Sequence, residues 1–471
     1  MYDGIIIRLS EIGLKSRRKR PFFERMAVNA IQDAFSRNNI SNFKLKNIGQ
    51  MFFIKTDSVD DMIPVLKKIP GIQHFSPCIN FPFVSFDETV KQTTILAKPL
   101  IKNKTFRVTA KRSTSPGFTS MELAAKCGEE LMDFSNGVAL RDYDVNVVIE
   151  VRGPDCFFYT EFISGMGGMP PKSAGTSLCL FSGGLDSPVA AYQMLKRGCV
   201  LDYVFVNLLG ETALEQVAPV YNFLISEFQY SYRPRFFEID ARELVRFITD
   251  NVDSTLRQLA LKISFYKISE RLCKEFRLWG VVTGEALSQK SSQTLQSLSF
   301  IQENSSAFVM RPLLSMDKLD IIDVAKKIGT FTSSQQVKEM CNLSDGPVTA
   351  VPIKQDIHRI PDLNPIVDEI VASVKIHDGL LPQKQVVEVV MNENELVVDL
   401  RVPSAIKKNP IKSDLEFSYP EVLDNLDKFT RENNYVLVCP HGVVGQEVAF
   451  LLSRRKINAR SLSLKDFLKT S

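Results

Sequence analysis

The chain has 471 residues, 44% hydrophobic and 24% charged, with a formal net charge of +4. That length gives room for about three domains, and the balance excludes a disordered chain. No apolar run approaches the ~20 residues that cross a bilayer, and Met1–Arg8 reads as a first strand, not a signal peptide, so a cytoplasmic protein is expected. The first 50 residues hold ten Lys/Arg against four Asp/Glu, so the basic charge is concentrated at one end, which suggests a polyanion partner there. Eight scattered cysteines without a Cys-x-x-Cys pair, beside four histidines, speak against structural zinc.

Residues 1–60 read as a small α/β unit. Strand Gly4–Arg8 precedes an amphipathic helix Pro21–Arg37 with Phe22, Met26, Ala30 and Ala34 at helical spacing, then strands Phe43–Ile48 and Met51–Lys55. The cluster Ser16-Arg17-Arg18-Lys19-Arg20 is either part of a polyanion-binding face or the solvated start of that helix. Residues 61–165 read as a second unit: a helix over Asp60–Lys68, a turn at Ile69-Pro70-Gly71, strands at Thr105–Ala110, Asp144–Val151 and Phe157–Ser164, and a helix over Ser120–Met132. Residues 101–120 carry Lys102, Lys104, Arg107, Lys111 and Arg112 and no acid, interleaved with Phe106, Phe118 and hydroxyl side chains. Such a face holds phosphates by charge and bases by stacking. Gly165-Met166-Gly167-Gly168-Met169-Pro170-Pro171 reads as a hinge-like linker.

From residue 177 the pattern changes. Strands Leu178–Phe181, Leu201–Asn207, Arg235–Glu238 and Gly280–Thr283 alternate with helices Ser187–Arg197, Ala213–Glu227, Ala241–Asp250, Leu256–Phe276 and Leu319–Ile328. The alternation predicts a doubly wound parallel sheet that binds ligands at the carboxyl ends of its strands. Pro347, Pro352, Pro361, Pro365 and Pro382 mark 346–384 as a linker. The tail carries strands Leu396–Leu400 and Tyr435–Val438 and a helix Gly445–Arg455, another small α/β unit.

The most informative segment is Ser182-Gly183-Gly184-Leu185-Asp186-Ser187, directly after the apolar run Leu178-Cys179-Leu180-Phe181. A buried strand runs into a glycine turn and then a helix, whose first-turn N–H groups and dipole form a phosphate socket. Asp186 and Ser187 are expected as helix caps. No lysine is built into the loop, so it is not a Walker P-loop. It resembles the PP-loop of ATP pyrophosphatases, which cleave ATP between the α and β phosphates and adenylate a substrate.

Three further features follow in order. They are Gly284-Glu285-Ala286-Leu287 with Gln289 and Ser291-Ser292-Gln293-Thr294; Arg311-Pro312-Leu313 with Asp317-Lys318; and Cys439-Pro440-His441-Gly442-Val443-Val444-Gly445. Together with Arg8-Leu9-Ser10-Glu11-Ile12-Gly13-Leu14-Lys15-Ser16, Phe106–Arg112 and the Gly-Met-Gly-Gly-Met-Pro stretch, they resemble the ThiI family of tRNA 4-thiouridine synthetases over nearly the whole chain. The resemblance implies an α/β multidomain protein: a ferredoxin-like unit (1–60), a THUMP RNA-binding domain (61–165), a doubly wound PP-loop adenylation domain (175–350) and, as in the family's long form, a rhodanese-like sulfurtransferase domain (385–471).

It also implies a two-stage reaction in which ATP adenylates O4 of a tRNA uridine and a persulfide sulfur displaces AMP. Ser182, Gly183, Gly184, Asp186 and Ser187 would hold the pyrophosphate, and Leu180, Phe181, Phe205 and Val206 would line the adenine. Lys262 would neutralise phosphate charge, Gly284 would admit the nucleotide closely, and Gln293 would hydrogen-bond it. On the residues alone, Lys262 also reads as a surface lysine and Gln293 as a helix cap. Mg2+ is expected, with Asp186 its nearest candidate partner. Cys439 would carry the persulfide, and Cys341 would resolve it by forming a disulfide. Rhodanese loops carry Ser or Arg where this chain has Gly445, and Asp399-Leu400-Arg401 resembles the Asp-x-Arg that ends an early rhodanese strand. Expected partners are tRNA, a cysteine desulfurase as sulfur donor, a ThiS-like carrier protein for thiamine thiazole synthesis, and a second copy in a homodimer. The alternative enzyme reading keeps the PP-loop and adenylates a small-molecule carboxylate, but Tyr2 stands where an amidating synthetase would place an N-terminal nucleophile for making ammonia.

Overall fold

The computed structural model describes residues 2–49, 51–113, 117–208, 211–337, 349–382, 395–418, 421–440, 443–464 and 467–468. The amino-terminal part comprises β1 (Gly4–Leu9), α1 (Arg20–Arg37), β2 (Lys44–Asn47), β3 (Met51–Lys55), α2 (Val59–Leu66), β4 (Ile72–Pro82), α3 (Phe86–Ile101), β5 (Phe106–Arg112), α4 (Ser120–Leu131), β6 (Val145–Arg152), β7 (Asp155–Tyr159) and β8 (Ile163–Ser164). These strands form one sheet ordered β2-β3-β1-β4-β7-β6-β5, with β8 beside β4. Strand β4 joins the halves: its residues from Ile72 to Cys78 pair with β1 and those from Ile79 to Pro82 pair with β7. Phe53 of β3 meets Phe157 of β7 at 5.0 Å between ring centroids, although two strands lie between them in the sheet. Strands sit about 4.8 Å apart, so the sheet must curl to bring those rings together.

The central part comprises β9 (Thr176–Leu180), α5 (Asp186–Lys196), β10 (Val200–Asn207), α6 (Glu211–Phe228), β11 (Arg235–Asp240), α7 (Arg242–Asn251), α8 (Arg257–Phe276), β12 (Val281–Val282), α9 (Leu295–Glu303), β13 (Val309–Met310), α10 (Lys318–Ile328), α11 (Phe331–Ser334), α12 (Asn364–Ala372) and β14 (Lys375–Asp378). The sheet order is β13-β12-β9-β10-β11-β14. One apolar core lies under α5, α6 and α10, and a second lies under α7, α8 and α12, so helices cover both faces. The first five strands are parallel, and β14 closes the edge antiparallel to β11.

Two expectations change here. The proline-bearing stretch read as a linker supplies α12 and β14, because Pro365 sits in the first turn of a helix, where its missing N–H costs nothing. The stretch read as a hinge is strapped down on both sides. Gly71 N donates to Gly167 O (2.8 Å), Gly167 N to Ile72 O (2.7 Å), and Met169 N to Lys196 O (2.9 Å). Gly168 has φ +77°, and a Cβ there would lie 1.8 Å from Lys196 O. Its glycine serves close backbone approach, not free rotation.

The tail comprises β15 (Glu395–Asp399), α13 (Pro403–Lys408), β16 (Leu415–Glu416), α14 (Glu421–Asp424), β17 (Asn434–Cys439), α15 (Val443–Arg454) and β18 (Asn458–Ser463). Its parallel sheet is ordered β16-β15-β17-β18.

Candidate active site

Strand β9 ends at Leu180, opposite Val204 of β10, and the chain turns there into the glycine loop. Side chains alternate across a strand, and the four residues at these two strand ends divide accordingly. Phe181 and Phe205 are buried in the core beneath α5 and α6. Leu180 and Val206 are half-buried and pack toward α8.

In the loop, Ser182 N donates to Ser187 Oγ at 3.1 Å, and the two hydroxyls lie 3.3 Å apart. Gly183 has φ +74°, and a Cβ there would press on Val217 at 3.3 Å. A Cβ on Gly184 would meet only Ser182 Oγ, at 3.6 Å. Helix α5 starts at Asp186 with no side-chain cap, so the capping expected of Asp186 and Ser187 does not occur. Instead Ser187 ties the loop closed, and Asp186 Oδ1 accepts from Lys318 Nζ at 2.6 Å. The uncapped first turn leaves its N–H donors for an anion. Gly284, beyond β12, lies against this turn, where a Cβ would come within 2.9 Å of the Asp186 carbonyl carbon and of Ser187 N.

Beside Gly284 stands a buried polar cluster. Glu285 Oε2 accepts from Tyr266 OH (2.6 Å), Thr283 Oγ1 (3.0 Å) and Arg311 Nε (3.0 Å). Arg311 Nη2 also donates to Tyr266 OH (3.0 Å) and to Gln302 Oε1 (3.2 Å). Burial, then Glu285, pushes the Tyr266 hydroxyl up from its ordinary value, so it stays a proton donor. This cluster fixes α8 to the carboxyl end of β12. Lys262 lies one turn, about 6 Å, before Tyr266 on the same side of α8, half-buried, with its Nζ 5.5 Å from the centroid of the Phe265 ring. Gln293 is buried, and its Oε1 has no hydrogen-bond partner among the described residues. It caps no helix: Thr294 caps α9, accepting from Ser297 N at 3.1 Å.

In the tail, Cys439 ends β17 with 1% exposure, and Gly445 N donates to its Sγ at 3.4 Å. A Cβ on Gly445 would lie 2.3 Å from Ser461 Oγ and 2.8 Å from Leu437 O. Close packing of α15 on the sheet thus requires glycine where the resembling loops carry Ser or Arg, and a backbone N–H addresses the sulfur instead. Arg401 and Asp399 form a buried two-pronged pair (Nε–Oδ1 2.8 Å, Nη2–Oδ2 2.6 Å) one strand away from Cys439. Cys341, His441 and Gly442 lie outside the described residues. Burial pushes other thiols up, to about 12 for Cys127 and Cys273 and about 11 for Cys156, which keeps them unreactive as nucleophiles.

Three family profiles match: a ThiI ferredoxin-like domain over residues 4–76, a THUMP domain over 83–161, and Thiamine biosynthesis protein (ThiI) over 172–360. The tRNA sulfurtransferase of Pyrobaculum aerophilum is 30% identical over 470 residues, covering 98% of this chain and 96% of that protein. The chain belongs to the ThiI family of tRNA sulfurtransferases. The family's Colwellia psychrerythraea tRNA sulfurtransferase is 30% identical and covers 95% of this chain and 97% of its own. Among solved structures, a 4-thiouridine synthetase–RNA complex with bound ATP superposes with TM-score 0.69 at 27% identity, covering 80% of this chain and all of that one. PH1313 from Pyrococcus horikoshii Ot3 shares the fold (TM-score 0.55, 24% identity, 69% of this chain and 99% of that one).

Within this ThiI-family chain, Lys318 is a site residue that the Asp317-Lys318 motif alone does not assign a role. Lys318 opens α10, where the helix dipole mildly disfavours a cation, but the partner that offsets this, Asp186, is 132 positions away and not marked by the sequence.

Proposed function

We propose that the chain uses ATP to thiolate a tRNA uridine, giving 4-thiouridine. The observation that carries this reading is the uncapped helix start behind the Ser182–Ser187 loop, flanked by the Asp186–Lys318 pair, in a chain that matches tRNA sulfurtransferases along its length. The triphosphate rests on the loop N–H groups, with Ser182, Gly183, Gly184 and Ser187 around it. Lys262 and Lys318 balance its charge, Gly284 walls the crevice, and Leu180 and Val206 lie under the base, with Phe181 and Phe205 supporting them from the core. Gln293 offers its unpartnered oxygen to the nucleotide.

Uridine O4 attacks the α-phosphorus and pyrophosphate leaves, so C4 now carries AMP as its leaving group. The outer sulfur of a Cys439 persulfide then attacks C4, and AMP departs. The remaining S–S bond is broken by the Cys341 thiol, leaving a Cys341–Cys439 disulfide that a cellular dithiol reduces. A single carboxylate beside phosphates suits Mg2+, and Asp186 would hold it. The ion, when bound, neutralises charge on the departing pyrophosphate. The proposed sulfur source is a cysteine desulfurase, in the cytoplasm. A ThiS-like carrier is the proposed second acceptor, and a homodimer the proposed assembly.

The test incubates the protein with unmodified tRNA, ATP, a cysteine desulfurase and cysteine. The expected result is 4-thiouridine absorbance with stoichiometric AMP. Cys439→Ala should lose the absorbance while still binding tRNA and supporting adenylation. ATP use without tRNA thiolation, but dependent on a small carboxylic acid, would overturn the reading.

A further inference from the structure

Gln258 has no role in the reading above, yet its environment sets it apart. It is 8% exposed, and its Oε1 is buried without a hydrogen-bond partner among the described residues. A buried acceptor left unpaired destabilises the empty protein and persists where a ligand supplies the donor. Gln258, Lys262 and Tyr266 follow one another at four-residue spacing along one side of α8. Tyr266 is anchored on Glu285 at the carboxyl end of β12, and Gln258 lies two turns earlier, at the start of the helix, on the side of the sheet where the parallel strands end.

Gln289 Nε2 and Gln293 Oε1 are likewise buried without a partner among the described residues, and the segment carrying Gln293 is clamped at the same place. Thr349 N donates to Thr255 O (3.0 Å), just before α8, and Thr294 Oγ1 donates to Ala350 O (2.5 Å), just after Gln293. One short strap therefore holds the segments carrying Gln258 and Gln293 together. Below them, Leu180 and Val206 turn their half-buried aliphatic side chains to the α8 side of the sheet. An apolar floor with carboxamides at its rim suits a flat base with a polar edge.

We propose that Gln258 reads the 6-amino edge of the adenine of ATP. Its carbonyl oxygen accepts from N6–H, and its amide nitrogen donates to an adjacent ring nitrogen, the paired pattern by which glutamine recognises adenine. The inference rests on the ATP reading of this crevice. Adenine is favoured over the target uracil because the floor belongs to the strand ends next to the phosphate loop.

Equilibrium binding to the full-length chain, without tRNA, tests this separately from thiolation. The ligands are ATP and purine ribonucleoside triphosphate, which lacks the 6-amino group. Wild type should bind ATP about tenfold more tightly than the analogue. Gln258→Met, which keeps the side-chain length, should bind both equally, at about the wild-type affinity for the analogue. Gln258→Leu provides a second variant should the first not fold. Equal affinities in wild type, or a variant that retains the preference for ATP, would overturn the inference while leaving the thiolation reading intact. A variant with normal ATP binding but lost thiolation would also overturn it, by moving the carboxamide to the uridine. Discrimination by wild type, lost in the variant, would support it even if no 4-thiouridine formed.

Discussion

At the scale of single residues, the site is governed by one ion pair whose members lie 132 positions apart. Asp186 and Lys318 are each partly exposed, so their attraction contributes little to stability. Their value lies in placing a carboxylate and an ammonium at the mouth of the loop proposed to hold the phosphates. Asp186→Ala removes the proposed Mg2+ partner and frees Lys318; Lys318→Met removes the cation proposed to balance the departing pyrophosphate. Each should lower AMP release by about 100-fold or more, the scale of losing one charge-stabilising group, with the melting temperature little changed. Cys439 should still accept sulfur from a desulfurase in both variants, as radiolabelled sulfur transfer would read. Normal AMP release by either variant would remove that group from the chemistry. The hexapeptide loop was legible because all its determinants are local: glycines, a preceding apolar strand, a following helix. The pair Asp186–Lys318 and the cluster Glu285–Arg311–Tyr266 were not, because each is assembled from elements that only the folded sheet brings together.

The same division holds for elements. Strands β9 and β10 were legible because sheets covered on both faces need continuous apolar runs. Strand β4 was missed: Ile72–Pro82 contains two prolines and four polar residues, and it changes partners half-way along. Helix α3 was missed with it, since Pro99 and four threonines and glutamines obscure its apolar stripe. Strand β14 reads Lys-Ile-His-Asp, with no alternation that marks a strand, and exists because β11 offers it an edge. Its companion α12 buries Val367, Ile370 and Val371 against α7 and α8, and Arg271 and Lys267 of α8 reach Asp368 (2.9 Å) and Asn364 (3.1 Å). Burying three such side chains contributes roughly 1.5–3 kcal/mol each, comparable in sum with the stability of a whole domain. A chain ending at residue 382 should therefore melt cooperatively and still bind ATP. A chain ending at residue 350, which retains every sequence-predicted element of the nucleotide unit, should expose the α8 face and aggregate or melt without cooperativity. Differential scanning calorimetry of the two decides it; equal behaviour would mean that α12 and β14 are accessory.

At the scale of the molecule, the proposed reaction requires the ferredoxin-like and THUMP units and the nucleotide unit to hold a fixed geometry. Two features set that geometry. The glycine strap at 165–171 bonds the N-terminal unit to the helix after the phosphate loop, through Gly71, Gly167 and Lys196. Within the curled sheet, Glu150 of β6 joins the halves. It is fully buried and accepts from Arg8 of β1, from Arg152 Nε (2.7 Å) and from Tyr159 OH (3.0 Å). Burial pushes the Glu150 carboxyl up, yet Arg8, Arg152 and Lys111 outweigh it and hold it below the ordinary carboxylate range. A carboxyl depressed in the folded state contributes stability that is present above its unfolded pKa and is lost as pH falls through its folded value. Wild type should thus keep this contribution at neutral pH and lose it only below the ordinary carboxylate range. Glu150→Gln leaves two arginines facing a neutral amide, which should cost about 3 kcal/mol at pH 7. The gap between the melting temperatures of wild type and variant should narrow as pH falls through that acidic window, because acid removes from wild type the charge that the variant lacks. At pH 7 the variant should also bind tRNA more weakly while its ATP affinity stays unchanged, since the lesion lies in the sheet and not at the phosphate loop. A gap independent of pH would mean that Glu150 acts through shape alone, and the ionic link between the two halves of the sheet would have to be abandoned.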